Sequence, residues 1–288
     1  MTAGPRFFAP FHRILVASSL LSLGALNAQT VLPAGQPIAP APADPAIAAA
    51  LQQVSPDNIK AIIAKLVTFK NRSTLSSMDT DLPPGTGINA AADWIESEFK
   101  RYSEACGGCL EVKRDEFIEP PGPGPAARIT KPTKLTNVYA ILRGADPAQA
   151  ARYVLVTGHY DSRNSANENT HDPAPGANDD ASGTAVSLES ARVLSKLKFP
   201  STIIFLTVAG EEQGLDGSRH FAKLAKSEGW DLQAVLNNDI VGGDTTPGAV
   251  GADKSAVRVF SEGVPGPATL DQLREIQTIG AENDSPSR

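Results

Sequence analysis

Residues 153–161, YVLVTGHYD, decide the fold of this chain. Residues 153–157 of this stretch are nearly continuously apolar, as are residues 202–208, TIIFLTV. Such runs are typical of central strands whose two faces are both covered. Between them, residues 181–197 carry apolar side chains at helical spacing, which predicts a covering helix. The alternation of strands with helices predicts an α/β fold built on a central sheet.

Further helices and strands flank this stretch. Ser55-Pro56 places a helix cap and a first-turn proline ahead of an apolar pattern that begins at Ile59. Apolar residues on one face predict a second helix from Ile88 to Tyr102. Three short runs are typical of strands, namely LEVKRDEF at 110–117, TNVYAIL at 136–142 and AVLNNDI at 234–240.

Two N-terminal segments precede the predicted domain. Residues 1–28 are typical of a secretory signal peptide, because cationic residues precede the apolar run at 14–26, and we expect cleavage near Ala28. Residues 29–54 are rich in proline and alanine without apolar periodicity, which predicts an extended linker. We therefore expect one domain over residues 55–288 of a protein that is secreted or periplasmic.

The composition and the cysteines favour an acidic, exported protein. The formal net charge is −6 and the lysines and arginines form no cluster, which excludes a nucleic-acid partner. The run at 14–26 is shorter than the roughly 20 residues of a spanning helix, so we expect no membrane association of the mature chain; an uncleaved anchor is the alternative. We expect Cys106 and Cys109 to form a local disulfide rather than a redox-active dithiol, and no second cysteine pair completes a zinc site. The oligomeric state is not predicted.

One histidine and six acidic residues are expected at the same edge of the sheet. They follow predicted strands or open the helix at 181, and open α/β sheets bind ligands at the carboxyl ends of their strands. Singly, each has an ordinary structural reading, such as an aspartate that caps a helix. Together, the acids would repel one another unless cations neutralise them, and carboxylates with imidazole suit zinc. These residues are His159, Asp161, Asp179, Asp180, Glu211, Glu212 and Asp239.

The spacing of these residues favours metal-assisted hydrolysis. An extended backbone places His159 and Asp161 on one face, so Asp161 can orient the imidazole towards a metal. Adjacent side chains diverge, so one of Glu211 and Glu212 can ligate a metal while the other acts as a base. A carboxylate on the turn that carries Asp179 can bridge two cations. The pattern predicts two metals that share one water.

Four motifs resemble, in order and spacing, those of the M28 family of zinc peptidases, which includes secreted bacterial aminopeptidases. The motifs are HYDS at 159–162, APGANDDASG at 174–183, AGEEQGLDGS at 209–218 and NNDIVGGD at 237–244. The resemblance covers about residues 55–288. It implies a three-layer α/β/α sandwich around a mixed, mainly parallel sheet, with two zinc ions as cofactors. It also implies peptide substrates from which N-terminal residues are removed.

The resemblance also implies roles for individual residues. His159 and Asp239 match ligands of one zinc, Asp179 matches the carboxylate that bridges the two ions, and Glu212 matches a ligand of the second zinc. Glu211 matches the general base, which takes a proton from water and passes it to the leaving amine. Asp161 is implied as the second catalytic residue, supporting His159. The peptide bond between Asp179 and Asp180 matches the unusual cis peptide of the family.

The end of the sequence departs from the family pattern. The family has a further zinc-ligating histidine downstream of the position of Asp239, whereas the last histidine here is His220, in a stretch that does not ligate zinc in the family. His171, in the loop before Asp179, is not favoured as its replacement. Ser285-Pro286 is a helix-start signal close to the last residue. We therefore expect the domain to be incomplete at its C-terminus.

Two other functions remain compatible with these motifs. One is an exported, non-catalytic fragment that binds metal or peptide through the acidic cluster. The other is glutaminyl cyclisation on a related scaffold. Retention of zinc and hydrolysis of aminoacyl substrates would distinguish the peptidase from both.

Overall fold

The computed structural model describes residues 44–124 and 126–242. The predicted signal peptide, residues 29–43 of the predicted linker and the predicted incomplete C-terminus lie outside these residues. Within them, no helix combines the length and the apolar character that crossing a membrane requires.

Five strands and six α-helices make up the described part of the chain, with a short 3-10 helix at Thr74–Met78. The strands are β1 (Leu110–Glu119), β2 (Thr133–Leu142), β3 (Arg152–His159), β4 (Thr202–Val208) and β5 (Asp231–Asn237). The helices are α1 (Pro45–Leu51), α2 (Pro56–Thr68), α3 (Gly87–Ala105), α4 (Ala181–Leu194), α5 (Glu211–Gly214) and α6 (Asp216–Ser227).

The five strands form one mixed sheet in the order β1-β2-β4-β3-β5. The two apolar runs, β3 and β4, lie inside this sheet, as their sequences predict. β3 is parallel to β4 and to β5, whereas β2 is antiparallel to β1 and to β4. The mixed sheet is confirmed: two of the four pairings within the described residues are parallel, and β1 and β2, which follow one another along the chain, pair as an antiparallel hairpin.

Helices cover both faces of the sheet. Ile95 and Phe99 of α3 and Leu188 of α4 are fully buried in a core that also contains Val138 of β2. The alternate residues of the strands face a second core, in which Phe221 of α6 packs with Tyr139, Ile141, Leu155, Ile204, Leu206 and Val208. Successive strand residues point to opposite faces. The three-layer α/β/α arrangement is therefore confirmed.

The N-terminal part of the described chain agrees with the prediction only in part. Ser55 caps α2, and its hydroxyl oxygen accepts a hydrogen bond from the Asn58 N–H at 3.1 Å, as predicted. Residues 45–51 of the predicted extended linker instead form helix α1, which the Asp44 carboxylate caps by accepting the Ala46 N–H at 2.7 Å. An aspartate followed by proline starts a helix and alanine favours its continuation, so local propensity overrides the compositional pattern.

The predicted local disulfide is confirmed. Cys106 and Cys109 are bonded directly after α3, with a Cα–Cα distance of 5.6 Å. Helix α3 itself runs from Gly87 to Ala105, slightly beyond the predicted range at both ends.

Glu189 fastens helix α2 to helix α4. Its side chain is almost completely buried and accepts hydrogen bonds from the Ser55 N–H at 2.7 Å and the Asn58 amide at 2.6 Å. Arg192 donates to both carboxylate oxygens, at 2.8 and 2.6 Å. Burial alone would raise the pKa of Glu189, but the hydrogen bonds from Arg192, Ser55 and Asn58 lower it below its usual value.

We expect Glu189→Gln to lower the free energy of unfolding at neutral pH by about 2–3 kcal/mol, because an amide cannot accept all of these bonds. Because the pKa of Glu189 is lowered in the folded state, its stabilisation is present above the ordinary carboxyl pKa of about 4.3 and is lost as pH falls through the lowered value. Urea unfolding at neutral and acidic pH measures both effects. If the difference in free energy of unfolding between variant and parent grew towards acidic pH, stabilisation by the ionised form of Glu189 would be contradicted.

Candidate metal centre

The carboxyl ends of β3, β4 and β5 meet at one edge of the sheet, because these strands are parallel. His159 is the last residue of β3, Glu211 opens α5 just after β4, and Asp239 follows β5 by two residues. These residues therefore lie together at one edge of the sheet, as the sequence predicts.

Asp180 joins this edge to helix α4. Its carboxylate caps the helix by accepting the Gly183 N–H at 2.7 Å, and it also accepts the N–H groups of His159 at 3.0 Å and Ile240 at 3.3 Å. Burial raises the pKa of this carboxyl group to about 7. Asp180 is thus a structural acid. The peptide bond between Asp179 and Asp180 is cis, as the resemblance implies.

Three carboxylates surround the imidazole of His159. Its Nε2 atom lies 3.1 Å from an oxygen of Asp179 and 3.8 Å from oxygens of both Glu211 and Asp239. The His159 side chain is only 3% exposed, whereas those of Asp179 and Asp239 are 51% and 40% exposed. The cluster therefore has a buried imidazole at its base and acids at its mouth.

These groups fit a zinc ion. One ligand atom from each of His159, Asp179 and Asp239 lies within 4.8 Å of the other two. The Nε2 atom of His159 is buried and makes no hydrogen bond with any described residue, although it faces the carboxylates. One imidazole with two carboxylates is a suitable donor set for zinc. Burial alone would lower the pKa of His159, but contacts with Asp161, Asp179 and Asp239 raise it, and metal binding would displace the proton.

Asp161 supports the cluster from the protein interior. It is fully buried, and one of its carboxylate oxygens lies 3.3 Å from Nδ1 of His159. The same carboxylate accepts the N–H groups of Glu211 at 3.4 Å and Glu212 at 3.2 Å, and the Thr74 hydroxyl at 3.2 Å. The backbone carbonyl oxygen of Asp161 lies 3.2 Å from the same Nδ1 atom, so Asp161 is placed where it can orient the imidazole. Its carboxylate also holds the turn that carries the two glutamates.

The two glutamates diverge as predicted. Glu211 faces His159, and burial raises its pKa, an effect that His159 opposes and that Asp161 and Asp239 strengthen. Glu212 instead accepts a charged hydrogen bond from Nε of Arg163 at 2.7 Å. The structure therefore places Glu212, the predicted ligand of a second zinc, beside an arginine and outside the group formed by His159, Asp179 and Asp239.

Three residues of this region were missed by sequence reasoning: Arg72, Thr74 and Arg163. Arg72 and Thr74 follow helix α2 and precede every predicted strand, so no strand end marks them. Thr74 donates to Asp161 and accepts the Gly210 N–H at 2.9 Å. Arg163 lies two residues after Asp161, and its position after a strand end is the only signal that could have drawn attention to it.

The remaining histidines of the described chain lie in other surroundings. His220 stacks on Phe117 with ring centroids 3.7 Å apart and lies 3.0 Å from an oxygen of Asp115. His171 is exposed and lies 3.2 Å from an oxygen of Asp81.

Comparison with known proteins gives a family model and a set of similar chains. The model described as "Peptidase family M28" matches residues 137–278. A protein of Pyricularia oryzae named "Probable zinc metalloprotease" is 42% identical over 259 residues, which cover 89% of this chain and 49% of that protein. A protein of Leptosphaeria maculans with a similar name is 41% identical over 87% of this chain and 56% of its own length. The chain spans about half the length of the curated relatives it matches.

Solved structures support the fold. LapB from Legionella pneumophila matches with a TM-score of 0.52 and 22% identity, over 72% of this chain and 50% of that chain. A glutaminyl cyclase from Fimbriiglobus ruber matches with a TM-score of 0.51 and 20% identity, over 67% of this chain and 63% of that chain. At this level of identity the likeness shows a shared fold and nothing about activity.

Proposed function

The chain carries an M28 domain and belongs to peptidase family M28, and from this premise we propose that it is a zinc-dependent peptidase that removes N-terminal residues from peptides. One observation carries the proposal: the buried Nε2 of His159, which makes no hydrogen bond with any described residue, faces carboxylate oxygens of Asp179 and Asp239. A peptidase needs a base beside such a centre, and Glu211 lies there.

Each residue of the centre has a separate role in the proposed reaction. His159, Asp179 and Asp239 hold the metal, and Asp161 keeps the imidazole in place. Zinc, when bound, acts as a Lewis acid that polarises a carbonyl group and lowers the pKa of water. Glu211 takes the proton of the attacking water on its carboxylate and delivers it to the amine that leaves. The peptide bond is broken, and the elements of one water are added across it.

We also propose a second zinc, for which Asp179 and Glu212 are the available carboxylates. Asp179 is half exposed and can offer its other oxygen to a second ion. One carboxylate oxygen of Glu212 accepts from Arg163, whose positive charge opposes the binding of a cation beside it. We therefore expect the ion at His159 to bind more tightly than the second ion.

The charge at the mouth of the centre favours a free amino terminus on the substrate. While only the ion at His159 is bound, the partly exposed Asp179, Glu211 and Asp239 carry more negative charge than that one divalent ion balances. A protonated amino group close to the peptide bond would relieve this excess. We propose in addition that the protein is exported, in keeping with the leader-like residues 1–28 and the disulfide between Cys106 and Cys109.

The experiment uses the purified chain, dialysed against trace zinc and supplied with aminoacyl p-nitroanilides. We expect zinc to be retained, free aminoacyl substrates to be cleaved, N-acetylated analogues to be resistant, and a chelator to abolish turnover. Retained zinc without turnover would favour a binding fragment. Cyclisation of an N-terminal glutamine without hydrolysis would favour a glutaminyl cyclase. A chain that retains no zinc and releases no product contradicts the proposal.

A further inference from the structure

Arg72 is a fully buried arginine whose guanidinium, within the described residues, donates only to backbone carbonyl oxygens. Its guanidinium donates to four carbonyl oxygens, at distances of 2.6 to 3.1 Å, and its side chain has no exposed surface. The four acceptors are the carbonyl oxygens of Tyr160, Leu66, Pro175 and Gly176. A buried arginine is normally paired with a carboxylate, so this arrangement calls for a reason other than an ion pair.

Three of the four acceptors belong to the segments that carry His159 and Asp179, two of the three ligands of the candidate metal centre, and the fourth, Leu66, belongs to helix α2. Tyr160 lies between His159 and Asp161, and its carbonyl accepts from Nε at 2.7 Å. Gly176 lies three residues before Asp179, and its carbonyl accepts from Nη2 at 2.9 Å. One rigid, planar group thus connects the end of β3 with the turn that presents Asp179.

The packing around this connection is tight. A Cβ atom at Gly176 would lie 2.8 Å from Nη2 of Arg72 and 2.4 Å from the carbonyl oxygen of Asp179. Gly176 has a φ of +47°, in the left-handed region that glycine adopts without strain. The backbone of Arg72 is fixed as well, since its N–H donates to the Ser162 hydroxyl at 3.1 Å and its carbonyl accepts the Ser162 N–H at 3.2 Å.

Arg72 also brings a positive charge beneath the acids. Burial lowers its pKa to about 10, which still leaves it charged at neutral pH, and Asp161, Asp180 and Asp179 favour the charged form. By the same interaction, the arginine favours the ionised form of Asp179. The cation therefore reduces the repulsion among the carboxylates in the absence of a metal.

We propose that Arg72 is a positioning residue for the metal centre, whose guanidinium holds the His159 end of β3 and the Asp179 turn at the separation that a zinc ion requires. The inference rests on the zinc site of the proposed function. It assigns Arg72 no contact with metal or substrate. A purely structural arginine would stabilise the fold without changing metal affinity, whereas a positioning arginine changes both.

The test compares zinc affinity in Arg72→Lys and in the unaltered chain. Lysine keeps the charge but cannot donate to all four carbonyl oxygens. Zinc competition with a chromophoric chelator gives the dissociation constant, and the absorption of bound Co²⁺ reports the ligand geometry. We expect zinc to bind about 10–100-fold more weakly and the cobalt spectrum to change, as for other residues that orient metal ligands.

Glu189→Gln is the matched control, because it also disrupts a buried charged network but in a part of helix α4 remote from its N-terminus. We expect this control to lose stability and keep its zinc affinity. Unchanged zinc affinity and an unchanged cobalt spectrum in folded Arg72→Lys would overturn the proposal. If Arg72→Lys does not fold, Gly176→Ala tests the same connection with the guanidinium in place, and unchanged zinc affinity there would also overturn it. Failure of the unaltered chain to bind zinc would contradict the proposed function itself.

Discussion

Replacement of Glu211 by glutamine is expected to lower kcat on aminoacyl substrates by about 10²–10⁴-fold while zinc stays bound. Glutamine keeps the size of the side chain but cannot take a proton from water. The carboxylate of Glu211 faces His159 and lies outside the group of His159, Asp179 and Asp239, so its loss removes the base without removing a ligand of that group.

Steady-state kinetics give kcat, and the zinc content is determined on the same preparation of Glu211→Gln. Glu104→Gln, at the exposed C-terminal end of helix α3, is the matched control and should behave as the parent. Glu212→Gln should instead weaken the binding of the second zinc. Loss of metal in Glu211→Gln with full retention in Glu212→Gln would show that the roles of the two glutamates are reversed.

The second large effect is expected at Asp179. Asp179→Asn should weaken zinc binding by at least about 100-fold, because even residues that only orient a ligand contribute 10–100-fold to affinity. The thermal stability of the metal-free chain should change little, since the Asp179 side chain is half exposed. Zinc titration and melting curves recorded with a chelator present measure the two quantities separately.

Asp180→Asn, one residue further on, should instead affect the stability of the chain more than its zinc affinity. An asparagine side chain would turn its amide group towards one of the backbone N–H groups of His159, Gly183 and Ile240, which costs about 1–3 kcal/mol. We expect the metal-free chain to melt at a lower temperature and to lose less zinc affinity than Asp179→Asn. Equal zinc affinities in the two variants would contradict the division between ligand and helix cap.

The residues that meet at the edge of the sheet could be predicted from the sequence, for a physical reason. The short apolar runs that became β3 and β4 are typical of central strands, and polar residues that directly follow parallel strands share an edge. His159, Glu211 and Asp239 were therefore predictable as neighbours. The cap of α2 and the disulfide were predictable because each depends on residues within a few positions of one another.

The parts that could not be predicted depend on contacts between distant residues. Arg72 meets Tyr160 and Gly176 only after the chain has folded, and nothing in the sequence around Arg72 indicates these partners. The ion pair of Glu212 with Arg163 likewise joins residues 49 positions apart. Helix α1 was missed for a different reason, because the composition of residues 29–54 was averaged over a segment that contains a local start signal at Asp44-Pro45.

Anomalous diffraction at the zinc edge, from crystals of the zinc-loaded chain, tests the metal centre most directly. The expected result is a peak about 2.0–2.2 Å from Nε2 of His159 and from carboxylate oxygens of Asp179 and Asp239. The absence of a peak at this edge of the sheet, or a peak at other residues such as His171 and Asp81, would contradict it.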